Sequence, residues 1–230
     1  MGDSFDVVAP AVQPERTPTH WLISQALRLL NTDGKSAKLG YAHVLELLKD
    51  RRDAVSMTFE LLRSAPAEDV GLRWSALHIA GDIGDLSAAK YLFRESLKPL
   101  PKRCREKEGC EGPRDGELLV RTMAVEALRR VAARHEEARG LVLELIEQRP
   151  EQPVLIEAVK AAQALGIADA VRKVLRKKDR WILEIRLVPV DKIKAQPERR
   201  DDSALGHAPP GVRAHVAGPI ANCSVLRKED

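Results

Sequence analysis

The chain has 230 residues, of which 44% are hydrophobic and 31% charged, and its formal net charge is +4 at pH 7. This length is enough for one substantial hydrophobic core, and the many alanines and leucines suit closely packed helices. Aromatic residues make up only 3% of the chain. That scarcity disfavours base stacking on nucleic acid and an aromatic-lined cofactor pocket, and we expect no cofactor.

The beginning of the chain indicates where the protein works. Residues 1–18 have no basic segment followed by an apolar run, and no stretch of the chain is apolar for long enough to cross a bilayer. The three cysteines are too few, and odd in number, for a disulfide framework, which favours a reducing compartment. We therefore expect a cytoplasmic protein without membrane contact that begins with a disordered segment over 1–18.

The first predicted helix begins at Thr19, a residue type that caps helix N-termini, and ends near residues 31–34. Its apolar residues recur with helical spacing at Trp21, Leu22, Ala26, Leu29 and Leu30. It has no regular partner in the pattern of helical pairs that follows. We interpret it as a cap over the helices that follow.

Three similar runs then predict stacked helical pairs: LRWSALHIAGDIG from Leu72, VRTMAVEALRRVA from Val120 and VLIEAVKAAQALG from Val154. Their central alanines Ala124 and Ala158 are 34 residues apart, whereas Ala76 and Ala124 are 48 apart, the same period with a 14-residue insertion. A single pair cannot bury its apolar stripe, so the pairs must stack. Continuing the period backwards to Ala42 gives four pairs, over about 36–65, 68–98, 115–148 and 151–178.

The predicted apolar stripe on the first helix of the third pair consists of Leu119, Met123, Ala127 and Val131. We expect all four side chains to be buried against the neighbouring pairs.

The repeated pattern resembles the HEAT-repeat family, and in particular its short bacterial HEAT-like members. In the second pair the resemblance rests on Leu72, Arg73, Ala76, Leu77, Ala80, Gly84 and Asp85, and the third pair repeats it with Val120, Arg121, Ala124 and Leu128. It covers residues 36–178 and implies an all-α, right-handed α-solenoid of about four HEAT-like helical hairpins over 19–180. Because the family's motifs are packing residues, the resemblance does not name a partner.

The insertion at residues 99–112 reads PLPKRCREKEGCEG and departs most clearly from the period. Insertions between hairpins emerge at an edge of a solenoid, where they either contact a partner or form a solvated connection. Cys104 and Cys110 are too widely spaced, and lack a neighbouring histidine, for a zinc site. We expect no metal here.

No motif in the chain supports catalysis. His135-Glu136 is similar to the metal-binding pairs of deoxyhypusine hydroxylase, an iron enzyme of the same architecture, but the chain has no second His-Glu pair. There is no nucleophile turn and no glycine-rich phosphate loop. We expect a protein that is not an enzyme, with His135 as a polar turn residue.

The last predicted helix, from residue 168 to 178, is strongly basic. With Val171, Val174 and Leu175 facing inward, it presents four cations outward together, namely Arg172, Lys173, Arg176 and Lys177. Such a run is either a solvated face or part of a groove. In solenoids of the HEAT type the second helix of each hairpin lines the concave surface. The resemblance therefore implies a mixed groove in which Lys90, Arg94, Arg172, Lys173 and Arg176 lie with Glu137, Glu144 and Glu147.

After Arg180 the alternation of Leu183, Ile185 and Leu187 with charged residues predicts a strand that ends at Pro189, within a strand-like extension over 181–195. It either caps the last hairpin or pairs with a partner's sheet. Residues 196–230 have no periodicity and are predicted to be a mobile tail.

These observations favour a non-catalytic protein–protein interaction module, such as an adaptor, an assembly subunit or an immunity protein, whose partner is another protein. The alternative is a nucleic-acid-binding or DNA-repair protein that uses the basic last hairpin. The predicted partner-binding residues are Lys90, Arg94, Arg103, Arg105, Arg172, Lys173, Arg176 and Lys177.

Overall fold

The structure is a computed structural model that describes residues 17–101 and 113–185. The regular elements in these residues are all helical, with no strand among them, which confirms the all-α prediction. Three 3₁₀ helices lie at Leu86–Ala88, Glu136–Ala138 and Lys177–Glu184. The α-helices are α1 (Thr19–Leu30), α2 (Lys35–Lys49), α3 (Ala54–Ser64), α4 (Val70–Ile83), α5 (Ala89–Ser96), α6 (Pro113–Arg134), α7 (Arg139–Glu147), α8 (Gln152–Ala164) and α9 (Ala168–Val174).

Local signals set the ends of α4. Asp69 precedes the helix, and its carboxylate accepts a hydrogen bond from the Leu72 amide at 2.9 Å, satisfying one of the free N–H groups of the first turn. The helix ends at Gly84, whose φ of 70° is left-handed and suits glycine. Asp85 then accepts from the Ser87 amide at 2.7 Å and starts the short 3₁₀ turn before α5.

The helices pack in two sets of neighbours. The first helices of successive pairs contact one another in the order α2, α4, α6 and α8, and the most extensive packing is between α4 and α6. Among the second helices, α5 contacts α7, and α7 contacts α9. The central alanines Ala76, Ala124 and Ala158 are all buried in the core, in agreement with the predicted register of the last three pairs.

Helices α4 and α6 approach each other closely at a glycine. A Cβ atom built on Gly81 would lie 2.7 Å from the Cα atom of Ala127 and 2.8 Å from its Cβ atom. Gly81 therefore allows the two backbones to come together.

Two predicted core positions are wrong. Ala42, the expected central alanine of the first pair, is exposed, and α2 instead buries Ala37, Val44 and Leu48. Leu119 is 45% exposed. Residues four apart are displaced by about 40° around an α-helix, so a stripe with this spacing turns away from the core at its end, where Leu119 lies. The buried stripe of α6 includes Val120 in its place.

The start of α1 differs by one residue from the prediction. Pro18 is the capping residue and Thr19 is already helical. The Thr19 hydroxyl donates to the Asp53 carboxylate at 2.8 Å, tying α1 to the residue that precedes α3.

The predicted strand after α9 is wrong for the residues that the structure describes. Residues 181–184 belong to the 3₁₀ helix Lys177–Glu184, in which Ile182 is buried and Trp181 is exposed. The side-chain amide of Gln163 on α8 donates to the Leu183 carbonyl at 3.0 Å, so α8 supplies a surface for this helix. The predicted disordered segment up to residue 16, the rest of the extension from residue 186 and the tail at 196–230 lie outside the described residues.

Candidate functional site

The sequence-predicted cations Lys90 and Arg94 lie on α5, one helical turn apart, and both side chains are exposed. The neighbouring helix α7 and the 3₁₀ turn before it expose four carboxylates. Glu136 pairs with Arg139 at 3.9 Å, whereas Glu137, Glu144 and Glu147 form no ion pair within the described residues. A positive helix therefore lies next to a negative one.

On the other side of α7, helix α9 exposes Arg172 and Lys173. The predicted basic helix is shorter than expected. It ends at Val174, because Leu175 is extended and buries its own side chain, so Arg176 and Lys177 are exposed but do not share a helical face with the other two. The predicted residues Arg103 and Arg105 lie outside the described residues.

Together these side chains form a surface on which charge alternates from helix to helix. We call it the banded face: α5 positive, α7 negative and α9 positive, made of Lys90, Arg94, Glu137, Glu144, Glu147, Arg172 and Lys173. Arg172 pairs with Asp169 at 3.2 Å on the exposed surface, and the other six form no ion pair within the described residues. Most of the charges of the banded face are thus available to a partner.

A second feature, buried ion pairs, links consecutive helical pairs. Arg73 on α4 is 7% exposed, and its guanidinium donates to Glu117 on α6 at 2.8 Å and lies 3.7 Å from Glu95 on α5. Burial alone would lower the pKa of Arg73, but the bond to Glu117 and the charges of both carboxylates outweigh it, and the pKa is raised.

Arg121 on α6 repeats the arrangement toward the fourth pair. It is 1% exposed, donates to Glu151 before α8 at 3.1 Å, and lies 3.7 Å from Glu117. Burial lowers its pKa, although an arginine still remains charged at neutral pH. We call Arg73, Glu117, Arg121 and Glu151 the arginine relay. Each of its arginines bonds a carboxylate of the following pair.

A third feature is a polar and aromatic cluster that local sequence reasoning missed. Asp82 on α4 accepts hydrogen bonds from the Tyr41 hydroxyl on α2 at 2.8 Å and from Arg130 on α6 at 2.6 Å. His78 Nε2 lies 3.2 Å from Asp82 and 3.3 Å from Arg130, and the Trp74 indole stacks on the imidazole with ring centroids 5.2 Å apart. The cluster ties three first helices together.

The cluster shifts the pKa values of its members. Burial would raise the pKa of Asp82, but hydrogen bonds from His78 and Tyr41 and the charge of Arg130 outweigh burial and lower it to about 2. Burial and the neighbouring Asp82 raise the pKa of the Tyr41 phenol. Asp82 is therefore ionised and Tyr41 neutral at physiological pH.

The polar atoms of the cluster are largely occupied by one another. The Nε2 atom of His78 is engaged by Asp82 and Arg130, and its Nδ1 atom is buried without a hydrogen-bond partner. Both ring nitrogens of His78 thus lie inside the cluster. The geometry fixes α2, α4 and α6 against one another.

His135, another polar residue, stabilises a turn between helices. His135 lies in the turn after α6, where its Nε2 donates to the Gly84 carbonyl at 2.9 Å. Within residues 17–101 and 113–185, no three histidine, cysteine or acidic side chains are grouped to hold a metal ion. None of the helices in those ranges is both long enough and apolar enough to span a bilayer.

Comparison with known proteins gives no relative for this chain. No protein-family model matches it, and no curated protein or solved structure shows significant similarity to it. The resemblance to HEAT repeats thus remains a prediction.

Proposed function

We propose that the protein is a non-catalytic interaction module, built as a right-handed HEAT-like α-solenoid of four hairpins, that binds another protein. The solenoid assignment is supported by the order of helix contacts, by the equivalent buried alanines, and by the arginine relay between pairs. Partner binding is assigned to the banded face together with the insertion at 99–112.

The observation that carries this proposal is the alternating charge of the banded face, of which six of the seven side chains form no ion pair within the described residues. Exposed charges of this kind can pair across an interface, where complementary patterns determine specificity and orientation. Three helices with charges in the order positive, negative and positive match a partner surface with the opposite order.

The same pattern favours a protein over nucleic acid. A phosphate backbone would be attracted by Lys90, Arg94 and Arg172 but repelled by Glu144 and Glu147 on the intervening helix. A protein surface can carry both signs of charge.

The test reverses charge on single helices. The native partner, captured with the wild-type chain and mapped by cross-linking, should be lost with Lys90→Glu/Arg94→Glu and with Glu144→Lys/Glu147→Lys. The matched control is Lys35→Glu/Lys38→Glu, because these lysines are exposed on α2 and form no ion pair in the described structure. Capture that survives both reversals would refute the banded face as the binding surface.

The alternative, nucleic-acid binding, is tested by titrating a labelled DNA duplex at several salt concentrations. Arg172, Lys173, Arg176 and Lys177 together would neutralise about four phosphates, which gives a slope of about −3.6 in log affinity against log salt. We expect this weak electrostatic binding to disappear at physiological salt. Sequence-selective binding that persists at physiological salt would replace the proposed function.

A further inference from the structure

The 3₁₀ helix Lys177–Glu184 is eight residues long, twice the usual upper length for this type of helix. A 3₁₀ helix has three residues per turn, so side chains three positions apart stand above one another in ridges. One ridge faces the core: Ile182 is buried, and Asp179 and Ile185 on either side of it are partly buried.

The other two ridges carry the exposed side chains, although Leu183 at the end of one of them is partly buried against the core. Lys178, Trp181 and Glu184 form one exposed ridge, and Lys177 and Arg180 stand on the next. The helix is fixed from below by its packing on α8 and by the bond from Gln163 to the Leu183 carbonyl. Trp181 therefore stays 44% exposed on a supported element rather than on a loose end.

Lys177, Lys178, Arg180 and Trp181 form what we call the docking ridge. The three cations are exposed and pair with no carboxylate within the described residues. No other aromatic side chain in the described part of the chain belongs to the exposed class. An exposed indole surrounded by unpaired cations matches a ligand that combines negative charge with an apolar group.

We propose that the docking ridge binds an acidic segment of a partner protein, with an apolar side chain of that segment packed on Trp181. Tryptophan is among the residues that contribute most to binding at protein interfaces, and surrounding cations supply charge complementarity to an acidic chain. This inference rests on the proposed function, since it specifies the chemistry of a protein partner. It assigns an acidic segment of that partner to a second part of the surface, in addition to the banded face.

The composition of the ridge favours an acidic peptide over other anions. Single-stranded nucleic acid is held by several aromatic rings in succession, whereas Trp181 is the one exposed aromatic side chain within residues 17–101 and 113–185. Glu184, three residues after Trp181, would also repel phosphates. A membrane-bound helix inserts a broad apolar face, whereas the apolar residue Ile182 points into the core. An acidic peptide, by contrast, can bind with a single apolar side chain packed on Trp181 and its carboxylates paired with the surrounding cations.

The experiment measures binding of a short fluorescein-labelled peptide, made of glutamates around a single leucine, to the full chain by fluorescence anisotropy. We expect Trp181→Ala and Lys177→Glu/Lys178→Glu each to weaken binding about tenfold or more. The control variants are Leu119→Ala, which removes another exposed apolar side chain, and Lys35→Glu/Lys38→Glu, and both should bind as the wild type does. Circular dichroism establishes that each variant is folded.

Three further probes identify the class of ligand: the same peptide with serine in place of leucine, a thymidine oligonucleotide, and vesicles of phosphatidylcholine with phosphatidylserine. The serine peptide should bind about tenfold more weakly than the leucine peptide. The proposal is overturned if the leucine peptide does not bind, if Trp181→Ala binds it unchanged, or if the oligonucleotide or the vesicles bind more tightly than the peptide.

The outcomes separate this inference from the proposed function. The variant Glu144→Lys/Glu147→Lys changes the banded face and should leave binding of the peptide to the docking ridge unchanged. If the peptide does not bind while the native partner is still lost with the α7 variant, only the docking ridge is refuted. If the peptide binds but reversal on α5 and α7 does not affect the native partner, the banded face is refuted instead.

Discussion

The close contact of α4 and α6 at Gly81 makes the effect of a single added methyl group predictable. In Gly81→Ala the new Cβ would lie 2.7 and 2.8 Å from the Cα and Cβ atoms of Ala127, whereas carbon atoms pack at about 3.5 to 4.0 Å. Backbone atoms of α6 cannot rotate away as a side chain can, so the two helices must separate by nearly an ångström.

Two opposing contributions determine how Gly81→Ala changes the free energy of unfolding. Alanine is preferred over glycine inside a helix by about 1 kcal/mol, and overpacking a core costs about 1 to 3 kcal/mol. Because the contact at Gly81 is with backbone, the upper part of that range applies, and we expect Gly81→Ala to lower the free energy of unfolding by about 2 kcal/mol. The control is Gly140→Ala on α7, where no atom lies within 4 Å of the added Cβ, and we expect it to gain about 0.5 to 1 kcal/mol.

The assay is guanidinium denaturation of both variants and the wild type, followed by far-ultraviolet circular dichroism. The midpoint should fall for Gly81→Ala and rise for Gly140→Ala, with the slope unchanged. If Gly81→Ala were as stable as the wild type or more stable, α4 and α6 would not cross at this glycine, and the packing described for the central pairs would be wrong.

Three further predictions concern the ion pairs and the insertion. Glu117→Ala leaves Arg73 and Arg121 without their shared carboxylate, and we expect it to lower the free energy of unfolding by about 3 to 5 kcal/mol in the same assay. The pKa of Asp82 is about 2 in the folded chain and about 3.9 in the unfolded chain, so its ionisation adds about 2 kcal/mol to the free energy of unfolding at neutral pH. This contribution is lost as the pH falls from 4 to 2, and Asp82→Asn should remove that pH dependence. Replacing residues 102–112 by a short turn should preserve helicity, since loop closure changes by only about 1 kcal/mol, and should abolish partner capture.

Each of these predictions has a control or an opposing outcome. Glu46→Ala removes a carboxylate from the exposed pair with Lys49 and should cost at most about 1 kcal/mol, so a similar cost for Glu117→Ala would show that the relay contributes little. Equal loss of stability in acid by Asp82→Asn and the wild type would contradict the pKa argument. Partner capture by the shortened chain would show that the insertion is only a connection.

The sequence predicts the helical pairs well because their apolar spacing and glycine turns are local signals. The sequence also identifies Arg73 and Arg121 as equivalent residues, since they occupy the same place in two repeated runs. It does not identify the carboxylates that pair with them. Glu117 lies 44 residues from Arg73, and Glu151 lies 30 from Arg121. No local pattern identifies contacts at such separations.

The errors have specific physical causes. The prediction that Ala42 is buried extends a period taken from later pairs, but α2 also packs against α1 and buries a different stripe. The strand predicted from the alternation at Leu183 and Ile185 assumed that backbone hydrogen bonds would come from a neighbouring strand. In the structure these residues pack on α8 instead, as a 3₁₀ helix whose three-residue period buries Ile182. The cluster of Tyr41, Asp82 and Arg130 was missed because it unites three helices.

The arginine relay restricts how such a chain can be shortened or lengthened by gene rearrangement. A deletion that ends the protein after α7 would remove Glu151 and leave Arg121 facing a cut surface with its remaining carboxylate 3.7 Å away. Duplication of a whole pair, by contrast, would copy an arginine together with a carboxylate, and the new copy would find a counterion on each side. A tandem array with this internal pairing can grow by complete modules in its middle far more easily than it can lose one from its end.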